Sequence, residues 1–204
     1  MILSKLFTGL GIGLNKTYRN KSRFADRKFI VPWRRVDILT NPQFRATGWR
    51  LLLSYLMAMI VVFDLIDTLQ PEAESKEITL EADLIDAVWV KGDAHQLQRL
   101  FGNLLENALQ YTSNGGLIRV KIFKWDDFVV IEVTDTGIGI APEHLSLVFN
   151  RFWRAEKARS RRQGGSGLGL AIVQAITHAH GGEISVRSKV GVGSCFRVKL
   201  PVVE

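Results

Sequence analysis

The stretch "DAHQLQRLFGNLLENALQYT", Asp93 to Thr112, sorts its residues onto two unlike faces of one helix. Leu97, Leu100, Phe101, Leu104, Leu105 and Ala108 recur at helical spacing, so they share a face that demands a core. Asp93 can cap the first turn, with Gln96 completing a capping box three residues on; a helix is predicted from about Asp93 to Tyr111. Asn103, Glu106, Asn107 and Gln110 fall within roughly a third of the circumference on the opposite side. One reading of that side is a solvated face. Two mid-helix asparagines argue against it, because Asn is a mediocre helix former and Lys, Glu or Gln would serve a surface better. Amide and carboxylate oxygens one turn apart instead suit a hard cation such as Mg²⁺, which needs few protein oxygens when phosphates also hold it.

The segments around this helix alternate. "EITLEADL", "AVWVKG", "LIRVKIFK" and "FVVIEVTD" read as strands, the last two joined by a turn at Trp125-Asp126-Asp127. "GEISVRS" and "SCFRVKLPV" repeat the pattern around "KVGVG", a short helix follows Pro142, and a second long helix is predicted from about Gly167 to His180. Strands outnumber helices, which favours an α+β sandwich with a helical layer on one face of a sheet.

Two glycine-rich turns punctuate this framework. "VVIEVTDTGIGI" runs a strand into Asp135, then Gly137 and Gly139. An acid beside glycines is often a plain turn former. Here the glycines also let backbone approach a flat ligand, and the carboxylate can accept from an exocyclic amine such as adenine's. "GGSGLGLAIVQAI" opens a helix with Gly164, Gly165, Gly167 and Gly169, an arrangement that presents free N–H groups to phosphate. It follows a polar loop and not a strand, so it is no Rossmann fingerprint, and no Gly-Lys-Ser/Thr exists for a Walker A motif. The loop between the turns carries Arg151, Arg154, Lys157, Arg159, Arg161 and Arg162 amid Phe149, Phe152 and Trp153, as a lid would; a solvated loop with an apolar anchor is the plainer reading.

Charge and hydropathy divide the 204-residue chain. Residues 1–50 hold eleven Lys/Arg against two acids, while the remainder holds sixteen against eighteen, so the net charge of +7 belongs to an irregular arm over 1–48. That arm gives no ground for assigning a nucleic-acid partner. An apolar segment over 49–69 follows, with thirteen uncharged residues from Leu51 to Phe63, short of the roughly 20 that a spanning helix needs. Residues 70–204 have the texture of a globular domain. Cys195 is the lone cysteine, so no disulfide framework is available.

The ordered set "NLLENALQYT", "DTGIGI", "VFNRFWRAEKARS" and "GGSGLGLAI" resembles the N, G1, F and G2 boxes of the ATP-binding domain of sensor histidine kinases, over about residues 76–201. The resemblance implies a two-layer α/β sandwich of the Bergerat type: a mixed sheet covered on one face by helices, holding ATP and Mg²⁺ under a mobile lid. It implies that Asn107 ligates Mg²⁺, with Asn103 beside it in the metal–phosphate network. Asp135 takes the place of the adenine acceptor, Gly137 and Gly139 that of the turn around the base. Gly165, Gly167 and Gly169 match the phosphate-side hinge, and Gln110, Tyr111 and Leu168 fall among the nucleotide contacts. Arg154 resembles the arginine that approaches the terminal phosphate, and Glu106 stands where related ATPases keep a general base. Gln110 departs from the lysine common in the family, which removes a positive charge near the phosphates.

Kinases of this family phosphorylate a histidine on a two-helix dimerisation domain, in a motif like His-Glu-Leu-Arg-x-Pro. His95, His144, His178 and His180 have no such context and read as structural. The segment around residues 44–63 resembles a sensor's first membrane helix, so the external sensor, second membrane helix and dimerisation domain are expected to be lost between about Met59 and Leu65; an unrelated leader is the alternative. The implied function is phosphoryl transfer from ATP to a histidine supplied in trans, with a response regulator as further partner. A non-catalytic nucleotide-binding remnant and a stand-alone ATPase or protein kinase remain alternatives. The ATP-binding domain is expected in the cytoplasm, with residues 49–66 at most lying in the membrane interface.

Overall fold

Period-two alternation in the C-terminal half builds the sheet. The computed structural model describes residues 55–84, 89–154 and 166–202, all within one unit that spans Ala46–Glu204. The arm over 1–48 and Gly165 lie outside the described residues. Strands β2 (Thr79–Leu84), β4 (Leu117–Trp125), β5 (Phe128–Asp135), β6 (Glu183–Lys189) and β7 (Gly193–Pro201) form a five-stranded sheet in the order β2-β4-β5-β7-β6. β2 runs parallel to β4, and every other pairing is antiparallel, so the sheet is mixed. The parallel pair needs a crossover, which the helix predicted at Asp93–Tyr111 supplies as α2 (Ala94–Tyr111).

Register aligns like faces. Ile122, Ile131, Val198 and Ile184 form one row, and Val120, Val133, Phe196 and Val186 the next, all facing the helices. The opposite face carries ion pairs: Arg197 Nε donates to Glu132 Oε1 at 2.7 Å, and Arg119 Nε to Glu81 Oε2 at 2.8 Å. The predicted β4–β5 turn is confirmed at Asp126-Asp127, with Asp126 at φ 51°.

α2 buries the face that its periodicity demanded: Leu97, Leu100, Phe101, Leu104, Leu105 and Ala108 are all in the core. Each large side chain there contributes about 1.5–3 kcal/mol by burial, and truncating Leu104 to alanine would cost about 2–5 kcal/mol. α3 (Gly169–Ala179) lies beside α2 and packs on β6 and β7 through Val173 and Ile176.

The segment expected as one apolar helix over 49–69 is divided differently. Tyr55–Met57 is a short strand, β1, paired antiparallel with β3 (Trp89–Lys91). Helix α1 then runs Ala58–Ser75, passing through Pro71 and across the predicted boundary at 69/70. Its stripe of Val62, Leu65, Ile66, Leu69 and Ala73 has helical spacing and packs on the core, with Leu65 close to Gly102 of α2. Within the segment expected at the membrane interface over 49–66, Val62, Leu65 and Ile66 pack on the domain's own core. Among the described residues no helix is long and apolar enough to cross a membrane.

Candidate functional site

Strand parity aims Asp135 inward. Val129, Ile131 and Val133 point to the helical layer, and the next residue in that row is a carboxylate, 5% exposed. Burial raises its pKa above the ordinary 3.8, and two backbone donors oppose the rise: Gly137 N–H at 2.8 Å and Ser194 N–H at 3.2 Å, both to Oδ1. Oδ2 has no hydrogen-bond partner among the described residues. One oxygen is thus held by the fold while the other is left to accept from something else.

The turn after Asp135 is clamped on both sides. Ile138 N–H donates to the Tyr111 carbonyl at 3.1 Å, which ties it to the C-terminus of α2. Gly191 N–H donates to the Ile138 carbonyl at 2.8 Å, which ties it to the β6–β7 hairpin. A Cβ at Gly137 would run into the Tyr111 carbonyl oxygen, and one at Gly139 into that of Lys189. Ser188 Oγ accepts from Ile140 N–H at 2.7 Å and donates to the Gly193 carbonyl at 2.8 Å, fixing the turn's far end.

The polar face of α2 stands beside this turn. Asn103, Asn107, Gln110 and Tyr111 are half-buried and Glu106 is exposed. Asn103 Nδ2 donates to the Arg99 carbonyl at 2.6 Å, and its Oδ1 lies 2.9 Å from where a Cβ on Gly169 would sit. Asn103 is therefore packed against the first turn of α3. Glu106, Asn107 and Gln110 have no hydrogen-bond partner among the described residues. Of this face, Asn103 and Asn107 are half-buried, and Asn103 packs against α3.

α3 begins with no side-chain cap: Leu168 at its N-cap makes no capping hydrogen bond, although its own N–H donates to Ser166 Oγ at 3.3 Å. Just upstream, Phe152 N–H donates to the Gly167 carbonyl at 2.9 Å, and a Cβ at Gly167 would meet the Phe152 backbone at 2.9 Å. The two ends of the basic loop are joined at this neck. Phe149 anchors the preceding segment edge-to-face on Phe196, and Trp153 packs against His144, ring centroids 5.4 Å apart. Phe152 is 72% exposed and Arg154 half-buried.

Three further residues lie around this framework. Ser194 supplies an amide to Asp135; counting back by twos from buried Phe196 places it on the same inner row. Thr112 Oγ1 is buried at the end of α2 without a hydrogen-bond partner among the described residues. His180, read as structural, joins both site helices: Nδ1 donates to the Ile176 carbonyl at 2.8 Å and Nε2 accepts Asp93 N–H at 3.2 Å. Asp93 Oδ1 does cap Gln96 N–H at 2.9 Å, but the reciprocal half of the predicted capping box is absent because His180 takes the Asp93 amide.

Comparison with known proteins identifies this arrangement. A model of the "Histidine kinase-, DNA gyrase B-, and HSP90-like ATPase" family matches residues 92–204. Sensor histidine kinase RppB from a Synechocystis species is 43% identical over 143 residues, 70% of this chain and 32% of RppB. Sensor-like histidine kinase SenX3 of Mycobacterium tuberculosis is 41% identical over the same length, 70% of this chain and 35% of SenX3. The chain thus spans about a third of the length of these curated relatives. Among solved structures, the mycobacterial sensor histidine kinase MprB superposes with a TM-score of 0.64 at 29% identity, covering 72% of this chain and 96% of that one. Full-length ShkA in complex with AMPPNP gives a TM-score of 0.61 at 26% identity, covering 70% of this chain and 29% of that one. The chain belongs to the histidine kinase-, DNA gyrase B- and HSP90-like ATPase family, and its C-terminal region is an ATP-binding catalytic domain of the sensor histidine kinase kind.

Proposed function

We propose that this domain binds ATP with Mg²⁺ between α2, the Asp135 turn and the start of α3, and transfers the terminal phosphoryl group to a histidine on a separate dimerisation domain. The observation that carries the proposal is the half-satisfied, buried Asp135 carboxylate at one end of the polar face of α2, with the uncapped amides of α3 at the other. Asp135 Oδ2 accepts from the exocyclic amine of adenine, while Gly137 and Gly139 admit the base. Asn107 ligates Mg²⁺ and Asn103 supports it. Among the described residues no cluster of three or more His, Cys, Asp or Glu exists, which fits a metal held mainly by phosphate oxygens and α2 amides. The α3 amides, with Gly165, Gly167, Leu168 and Gly169, receive the phosphates. Gln110 and Tyr111 line the nucleotide, Arg154 offsets charge on the transferred group, and Glu106 accepts the proton from the attacking nucleophile.

Catalysis in such a site is mainly positioning and charge neutralisation of an in-line displacement. A response regulator is the natural onward acceptor of phosphohistidine. Two measurements on the full chain test this reading. Calorimetry should give tighter binding of ATP than of GTP, with Asp135→Asn losing about 10–100-fold in ATP affinity and Asn107→Ala losing the Mg²⁺ dependence. Equal affinity for both nucleotides would remove the adenine assignment. Incubation with γ-labelled ATP should label the chain only when a dimerisation domain from a related kinase is added; strong phosphohistidine on the chain alone would contradict transfer in trans.

A further inference from the structure

β6 is an edge strand. It pairs with β7 on one side, and among the described residues nothing pairs with its other side. Glu183, Ser185, Arg187 and Lys189 are exposed, while Ile184, Val186 and Ser188 are half-buried. An open edge presents a row of unpaired donors and acceptors, and charged side chains usually defend it. In one register the charges here do the reverse. Antiparallel pairing of two copies about Val186 sets Glu183 opposite Lys189 of the second copy, twice by symmetry, with Ser185 opposite Arg187 and Ile184 opposite Ser188. The sheet's other edge fails the same test: β2 carries Glu81 and Asp83 and no base, so self-pairing there brings only like charges together.

The helix above β6 agrees. Residues 169–179 of α3 contain no Lys, Arg, Asp or Glu, and the exposed positions are Ala175, His178 and Ala179. Helices at a protein surface ordinarily carry charge on the solvent face. α3 packs on both β6 and β7. With strands about 4.8 Å apart, a helix over the β6–β7 seam stands about 5 Å from a two-fold axis running beside β6. Two such helices would lie about 10 Å apart, close to the 8–10 Å of packed helices, and alanines suit that approach.

We propose that the chain self-associates through β6 into a two-fold dimer, with one continuous sheet and α3 of each copy facing the other. Closure by a two-fold axis uses the same edge on both copies and leaves no β6 edge for further growth. The existing Glu183–Lys199 pair, at 3.7 Å with Glu183 largely exposed, leaves the Glu183 carboxylate within reach of the second copy.

Sedimentation velocity on the full chain over a concentration series tests the interface, with circular dichroism confirming that each variant folds. A reversible monomer–dimer equilibrium is expected. Lys189→Glu or Glu183→Lys alone should weaken the dimer by about tenfold, and the two together should restore it. Ala175→Arg should weaken it from the helical side. A monomer at every concentration, a dimer indifferent to Lys189→Glu, or a double variant that fails to recover would overturn the proposal. So would a ladder of growing oligomers, which would signal head-to-tail pairing of β6 with β2.

Discussion

The two glycine turns of the site are held by different materials. At the Asp135 end, Gly137, Gly139 and Gly193 are each wedged against main-chain atoms: the carbonyls of Tyr111, Lys189 and Asp135. At the α3 end, among the described residues, Gly169 faces the tip of a side chain, Asn103, while Gly167 meets backbone. Backbone cannot step aside without moving the strand or helix that carries it. A side chain can rotate. The Asp135 end is therefore part of the fold, while the fit of Gly169 at the α3 end depends on which side chain α2 presents.

The largest effect that would sharpen this contrast is expected from Gly193→Ala. Gly193 sits at φ 129° with the Asp135 carbonyl where a Cβ would go, so the methyl group meets both strain and a main-chain clash. A loss of about 3 kcal/mol or more is expected in chemical denaturation, and an unchanged midpoint would break the comparison.

Gly169→Ala should behave quite differently. Its methyl group meets Asn103 Oδ1 at 2.9 Å, while alanine gains up to about 1 kcal/mol of helix propensity. In the native background the two effects oppose and a modest loss is expected. In an Asn103→Ala background the clash is gone and the same substitution should become stabilising, a reversal that a double-mutant cycle reads directly. No reversal would mean that α3 is fixed by something other than Asn103.

The smallest effect concerns Asp135→Asn. The folded protein holds the Asp135 proton more tightly than the unfolded chain, because burial outweighs the two amides. Its contribution to stability is thus fully present below the ordinary pKa of 3.8 and is lost as pH rises through the higher folded value. Asparagine cannot ionise and keeps an oxygen for Gly137 and Ser194. Thermal melts should show the variant at least as stable as the parent at neutral pH, with the difference shrinking toward pH 4 and below. Loss of stability at neutral pH would mean that the charge itself holds the turn.

Where the sequence was legible, local periodicity and tertiary burial agreed. The stripe from Leu97 to Ala108 fixed α2, and the alternation of β4 and β5 fixed both strands and their turn. β1 was not legible, since three residues gain strand character only by pairing with β3 more than thirty positions away. α1 was obscured because "FDLIDTL" follows an apolar run and precedes Pro71, which reads as a helix stop, yet the buried stripe carries the helix through it. Within the site, residue types with distinctive chemistry stood out: Asp135, Asn103, Asn107 and the glycines. Ser194 acts through its amide and His180 through a contact with Asp93, which lies 87 residues away, and neither leaves a local pattern.

Alternation along β7 has a practical use. Ser194 points inward with its amide on Asp135, so the next residue, Cys195, points to the opposite, ion-paired face, where it is half-buried. It is the one thiol in the chain. A small fluorinated tag on that sulfur would sit next in β7 to Ser194, whose amide holds the Asp135 carboxylate, and on the other face of the sheet from it, so it could register a ligand meeting that carboxylate without competing for the space it occupies.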